Sequence, residues 1–379
     1  RILCWIPTSP TNLAARAKSV KDTWGKRCDM LLFFSSKADA SFPAIGLNVG
    51  EGRKRLFNKT RASLRYIYQR HINHAHWFLK ADDDTYVIME NLRYFLSKLN
   101  PSDPHYIGRM FTSYGGYNTG ARIPLTIHTQ EREDADRMST QNEIKRQRIL
   151  CWIPTSPNNL VERAKSVKDT WGKRCDMLLF FSSIEDVTIP VIGLNVKEGR
   201  HNLYAKTRAS LEYIYQHHLD DVDWFLKADD DTYVIMENLR YFLSKLNPSD
   251  PHYIGRMFTS YGGYNTGGAG YVFSRETLRI FKRALDEGGC PRRGGEDTWV
   301  ARCLRAQGVK PVSTRDSSGR ETFFQFGIAA QLIPGRPNDF LSNYSLPLPY
   351  KNGPECCSDY PNTFHKVKTE MMYLLEYLI

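Results

Sequence analysis

No run of 18 or more apolar residues occurs anywhere in the 379-residue chain, so the sequence holds no membrane-spanning helix. It opens directly on the strand-like Arg1-Ile-Leu-Cys-Trp-Ile, with no signal peptide. The expectation is therefore that an N-terminal segment is missing or has been trimmed. None of the eight cysteines falls in a CxxC zinc pattern. No GxxxxGK[ST] loop is present either, which argues against a nucleoside-triphosphate hydrolase or a nucleic-acid enzyme. Long runs of like charge are also lacking. The 52 Lys and Arg against 41 Asp and Glu are spread through amphipathic segments, so the net charge of +11 reads as a solvated surface and no nucleic-acid partner is expected. What remains, with 41% hydrophobic and 12% aromatic residues, is a globular composition able to bury one large core or two.

One stretch organises the chain and occurs twice. WFLKADDDTYVIMENLRYFL runs from Trp77 to Leu96 and again from Trp224 to Leu243. In the second occurrence an apolar run of strand length, Trp224-Phe225-Leu226, leads into Asp229, Asp230 and Asp231 and then into an amphipathic, helix-like segment. That order places carboxylates at the C-terminal end of a buried strand, the edge at which open α/β sheets bind ligands. Adjacent like charges need neutralising, and a hard divalent cation shared with substrate phosphates is the usual means. A bare acidic triplet is more often a solvated turn. The flanking strand and helix favour the metal site.

Residues 1–120 align without a gap to residues 148–267, with about one position in five or six changed, and from Trp77 through Gly120 the copies agree completely. Such a period exceeds that of solenoid repeats and reads as a duplicated half domain. Changes gather at Lys37 to Ala44 against Ile184 to Val191, and at Asn73 to His76 against Asp220 to Asp223. The second copy is expected to fold as Ile149–Ile153 strand, Val161–Trp171 helix, Met177–Ser182 and Val191–Val196 strands, His201–Gln216 helix, Trp224–Lys227 strand, Met236–Leu246 helix and Tyr253–Arg256 strand. Strands alternating with helices imply a mostly parallel sheet. Residues 121–147 are polar, charged and aperiodic, and read as a stalk or spacer. Three parts follow: a partial duplicate (1–120), a linker (121–147) and a complete domain (148–379). Only the second copy continues past Gly267. It adds Gly267-Gly268-Ala269-Gly270, a strand at Tyr271–Phe273, a helix at Arg275–Leu285, an amphipathic helix from Glu296 to Gln307 and a last helix near Lys366 to Leu378.

Several residues carry candidate chemistry, each with a plainer alternative. Asp297 stands at a helix start, where the dipole favours an ionised carboxylate that could act as a general base; simple capping by Glu296 and Asp297 is the plainer reading. His365, the one histidine of the unique C-terminal part, could complete a metal site, although a lone histidine is more often a surface residue. Gly267, Gly268 and Gly270 could let the backbone approach a sugar or phosphate closely. Tyr261, Tyr264, Trp299, Phe323 and Phe324 could supply sugar-stacking faces, with core packing the better reading for at least half of them. Pro154 and Pro157 turn the first strand of the second copy into a loop, which in nucleotide-binding α/β domains commonly touches base or ribose. Cys151 and Cys175 lie on or next to adjacent strands, so disulfides in an oxidising compartment are favoured over free thiols. The sequons Asn58-Lys59-Thr60 and Asn343-Tyr344-Ser345 are compatible with a secretory route, and the first is absent from the second copy, where Ala205 replaces Asn58.

Taken in order, RILCWIPTSP, AKSVKDTW, WFLKADDDTYV, TGGAGYVFS, GGEDT, CCSD and TEMMYLLEYL resemble glycosyltransferase family 31, and within it the core 1 β1,3-galactosyltransferases. The resemblance covers essentially all of 148–379 and, a second time, 1–120. It implies a GT-A fold and an inverting, manganese-dependent transfer from UDP-galactose to the GalNAc of glycoprotein acceptors. It also implies Golgi residence through an N-terminal membrane anchor not contained in this sequence, and often a homodimer. By the same resemblance Asp229 and Asp231 frame the metal motif with His365 as partner ligand, and Asp297 is the catalytic base. Pro154, Thr155, Lys227, Asp230 and Gly268 fall on the donor side, and Tyr264, Glu296 and Trp299 on the acceptor side. The first copy departs from this pattern. It keeps Asp82, Asp83 and Asp84 but ends before any equivalent of Asp297 or His365, so it is expected to be catalytically inert.

Overall fold

The computed structural model describes residues 1–39, 41–111, 117–119, 147–290, 294–333, 353 and 355–378. The chain divides into two compact units, Arg1–Glu131 and Arg132–Ile379. The division falls within the expected linker, most of which lies outside the described residues, as does the Asn343 sequon.

The first unit holds a four-stranded sheet in the order Ala44–Gly46, Met30–Ser35, Ile2–Pro7, Trp77–Lys80, with every pairing parallel. In the second unit the same four strands recur as Val191–Gly193, Met177–Ser182, Ile149–Pro154 and Trp224–Lys227. There the sheet goes on to seven strands through Tyr271–Ser274, Tyr253–Gly255 and Pro311–Val312. Tyr271–Ser274 runs antiparallel to both of its neighbours, so the expected mostly parallel sheet is mixed at this point.

Alternation along the strands explains why the sheet is covered on both faces. Ile149, Cys151, Ile153, Trp224 and Leu226 point into one core, with Trp171, Leu239 and Met372. Leu150, Trp152 and Phe225 point into the other, with Leu211, Phe273, Phe281 and Trp299. The cysteines of the first strand are cross-linked: Cys4 with Cys28 and Cys151 with Cys175, alongside Cys290 with Cys303 and the neighbours Cys356 and Cys357. The favoured reading of the cysteines as disulfides is thus what the structure contains.

Element boundaries differ in detail. The expected helix Val161–Trp171 is a π-helical turn Leu160–Ala164, an α-helix Lys165–Asp169 and a 3₁₀ turn Trp171–Arg174. The long helix is α-helical over Leu203–His218, and the catalytic-side helix spans Glu296–Ala306. Beyond the main sheet, Thr363–Phe364 pairs with Tyr233–Val234 and with Phe324 and its neighbour Phe323, which carries the C-terminal part of the chain to the end of the strand Trp224–Lys227. No helix among the described residues is long and apolar enough to cross a membrane.

Candidate active site

The strand Trp224–Lys227 ends in a loop that fans the three aspartates in different directions. Asp229 and Asp231 turn toward His365, whose Nε2 lies 3.2 Å from Asp231 Oδ1 and 3.7 Å from Asp229 Oδ2. Ligand atoms of the three residues lie within 4.8 Å of one another, and they are the one such cluster among the described residues. His365 Nδ1 is 3.1 Å from the Gln325 carbonyl oxygen. A carbonyl only accepts, so Nδ1 donates to it, and Nε2 is the ring atom that faces the carboxylates, the orientation a metal-ligating imidazole takes. Burial pushes the Asp231 carboxyl up, but the hydrogen bond and charge of His365, with Arg163 and Lys227, hold it below the ordinary value. Two carboxylates and an imidazole form a donor set suited to a divalent cation.

Asp230 points the other way. Its carboxylate accepts from Thr155 Oγ1 at 2.7 Å and Asn159 Nδ2 at 2.9 Å, and Arg163 lies 3.4 Å away. Burial raises its pKa against those hydrogen bonds. Thr155 and Asp230, both expected on the donor side, are buried and bonded to each other, which ties the loop after the first strand to the aspartate loop. Pro154 is likewise the buried last residue of its strand. Asn159 and Arg163 were not singled out in the sequence, where one amide and one guanidinium on a polar loop give no distinguishing signal.

Lys227 also faces inward. It is buried, donates to Asp229 Oδ1 and, at 3.0 Å, to the Gly267 carbonyl. Burial works against its charge, but Asp229 and Glu296 raise its pKa and keep it an ammonium. It links the aspartate loop to the Gly267 turn and, through its charge, to Glu296 at the start of the helix Glu296–Ala306. Glu296 is buried, with Oε1 accepting from Tyr271 Oη at 2.9 Å and Thr207 Oγ1 at 3.1 Å. Tyr271, Thr207 and the Lys227 charge hold it in the interior.

Asp297, its neighbour, takes the helix-start position predicted for it. Its Oδ1 accepts from the Thr298 N–H at 2.8 Å and its Oδ2 from the Gly267 N–H at 3.3 Å. Burial pushes its carboxyl above the ordinary value, partly offset by those backbone donors and Lys227. A carboxylate raised toward neutrality by burial is a better proton acceptor than an exposed one.

Glycine is needed where these parts converge. A Cβ on Gly268 would lie 2.4 Å from His365 Cε1, and Gly270 has φ +79°. Side chains of the neighbouring threonines hold this turn: Thr232 Oγ1 donates to the Gly268 carbonyl at 2.9 Å and Thr363 Oγ1 to that of Ala269 at 2.6 Å. The two expected aromatic acceptor faces are core residues instead. Trp299 packs edge-on against Tyr204 and Phe281 and donates its indole N–H to the Cys290 carbonyl. Tyr264 is buried against Phe258.

The candidate site is thus a carboxylate–imidazole cluster at the C-terminal edge of a mixed α/β sheet, with the half-buried Asp297 carboxylate beside it. The chain belongs to the Fringe-like family, whose sequence model matches residues 2–126 and 144–315. The glycoprotein-N-acetylgalactosamine 3-beta-galactosyltransferase 1 of Xenopus laevis is 41% identical over 249 residues, covering 64% of this chain and 69% of that protein. The beta-1,3-glucosyltransferase of Mus musculus is 31% identical over 141 residues, 36% of this chain and 29% of that protein. Among solved structures, the galactosyltransferase LgtC in complex with donor and acceptor sugar analogs matches 57% of this chain and 86% of that one, at 12% identity and a TM-score of 0.31, a likeness too low to add to the fold.

Proposed function

We propose that residues 148–379 form an inverting β1,3-galactosyltransferase of GT-A type, which transfers galactose from UDP-galactose to GalNAc on serine or threonine of glycoproteins. The observation that supports it most is the joining of Asp229, Asp231 and His365 in one ligand sphere. A half-buried Asp297 is reached through Lys227 and Gly267 of the same site. The relative of highest identity named above carries that activity in its name. Asp229, Asp231 and His365 would hold Mn²⁺, which supplies charge to the diphosphate of the leaving UDP. Asp297 accepts the proton of the acceptor hydroxyl as its oxygen bonds to the anomeric carbon and the bond to the diphosphate breaks on the opposite face. Lys227 keeps the carboxylates of the two half-sites in fixed relation and screens their mutual repulsion.

The disulfides fit an oxidising compartment, consistent with the Golgi lumen and a membrane anchor outside this sequence. The first copy would be inert, since it has no counterpart of Asp297 or His365. The test is transfer from UDP-galactose to a GalNAc-threonine peptide by the full chain, with and without Mn²⁺. Metal-dependent product with inverted linkage is expected. Transfer from UDP-glucose but not UDP-galactose would move the chain toward the glucosyltransferase branch, and binding of UDP without any transfer would point to a non-catalytic relative.

A further inference from the structure

The helix Leu56–His71 of the first copy has both lost its covering and changed its charge. Its counterpart Leu203–His218 packs against the helices Arg275–Asp286 and Glu296–Ala306. Tyr204 meets Trp299 edge-on with ring centroids 4.3 Å apart, and the Lys282 ammonium lies 5.5 Å from the centroid of Tyr215. Two ion pairs just beyond the helix complete the contact, Arg275 with Asp223 at 2.8 Å and Arg279 with Asp220 at 3.1 Å. The first copy ends before any counterpart of these two helices. There Phe57, Leu64, Tyr68 and Ile72 lie exposed, with Phe57 at 73% and Tyr68 at 70%. Their spacing of seven, four and four residues puts them on one helix face.

The charge of this segment is inverted between the copies. Residues 201–223 carry two basic and four acidic side chains, whereas residues 54–76 carry six basic and none acidic. Arg65 stands where the second copy has Glu212, Arg70 where it has His217, Asn73 where it has Asp220 and His76 where it has Asp223. Arg61, Arg65 and Arg70 are all exposed. The face thus keeps the form of a helix-packing surface while its electrostatic sign is reversed. A second copy's own Arg275–Asp286 helix would bring its arginines against Asn73 and His76, so the reversal selects against that occupant.

We propose that the exposed face of Leu56–His71 is a docking surface for an acidic amphipathic helix of a partner protein. The apolar side of that helix covers Phe57, Leu64, Tyr68 and Ile72, as the C-terminal helices cover their counterparts in the second copy. Its carboxylates meet Arg61 and Arg65, which flank that face.

The test uses the full chain and two labelled helical peptides spanning residues 275–286. One has its native charges, and the other has Arg275, Arg279, Lys282 and Arg283 each changed to Glu. Fluorescence anisotropy should show the acidic peptide binding about tenfold more tightly, with affinity falling as salt is raised. Binding should be lost in the Arg61→Glu, Arg65→Glu double variant, whose substitutions are both on the surface. Equal affinity for the two peptides, or binding that survives the double substitution, overturns the proposal. So does adsorption to phosphatidylserine-containing vesicles with no peptide binding, which would assign the face to a lipid surface.

Discussion

Residues Trp77–Gly120 and Trp224–Gly267 are the same sequence, yet their described parts stand in different structures. In the second copy Tyr253–Gly255 is a strand and Tyr253 is fully buried; in the first, the identical Tyr106 is 79% exposed and its segment is not a strand. The cause is Tyr271–Ser274, which in the second copy lies between Trp224–Lys227 and Tyr253–Gly255 and hydrogen-bonds to both. Without that inserted strand Trp77–Lys80 pairs on one side only, with Ile2–Pro7, and stands at the edge of the four-stranded sheet. Full burial of an apolar side chain such as Phe225 or Ile254 is worth about 1.5–3 kcal/mol, of which the first copy keeps only a part, with Phe78 36% and Ile107 39% exposed. Lys227 and Lys80 show the same divide: the first is buried between carboxylates, the second reaches only Asp82 at 2.7 Å. Identical sequence therefore fixes neither strand nor site here. The segment that arrives later decides both.

The sharpest way to test that contrast is to remove the proposed base. Asp297→Asn should lower kcat about 10³-fold with nearly unchanged UDP and Mn²⁺ binding, while Asp84→Asn in the first copy leaves kcat as it was; steady-state transfer assays read both. Loss of donor binding in Asp297→Asn would take that residue out of the base role.

Next in size are the metal ligands. His365→Ala and Asp231→Asn should each weaken Mn²⁺-dependent UDP binding by tenfold or more in titration calorimetry. Asp82→Asn should not change it, and equal losses from both copies would erase the distinction drawn between them.

A smaller effect concerns pH. Burial raises the Asp297 pKa above its ordinary 3.8, so the rate should climb with pH as this group deprotonates, with the half-rise displaced upward from that value. The sign for stability is the reverse. A raised folded pKa gives a contribution that is full below the unfolded value and is lost as pH rises through the folded one. Asp297→Asn should consequently gain stability relative to wild type on going from acidic to neutral pH, measured by urea unfolding; a constant difference would mean that the carboxyl is not held up by burial.

The smallest difference lies at the turn before each tryptophan. Arg275→Ala removes a half-buried pair with Asp223 and should cost about 1 kcal/mol, whereas His76→Ala should be neutral in the same unfolding measurement.

Much of this arrangement could be read from residue order. Strand-length apolar runs gave the shared four-stranded core, and a carboxylate triplet after a buried strand gave the metal loop, because both signals are local. His365 was legible as the single histidine of the unique region, though its approach to Asp231 depends on Thr363–Phe364 pairing with Tyr233–Val234, a contact between distant segments. What escaped was direction. Nothing in WFLKADDD says that Lys227 and Asp230 turn inward while Asp229 and Asp231 turn outward; that depends on Thr155, Asn159 and Glu296, which lie far away in sequence. The burial of Tyr264 and Trp299 escaped for a related reason, since an aromatic side chain has the same composition signal in a core as on a sugar-binding face.

The central position of Tyr271–Ser274 also sets an order of assembly during synthesis. Residues 1–80 contain every strand of the first copy's four-stranded sheet, so that sheet can close early as the chain emerges. The second copy's sheet has a gap in its middle until residue 274 is made, and its carboxylates lack their imidazole until residue 365. Any product released early thus has the acidic loop without the means to hold a metal there, and the chain acquires its proposed chemistry only when nearly all of it exists.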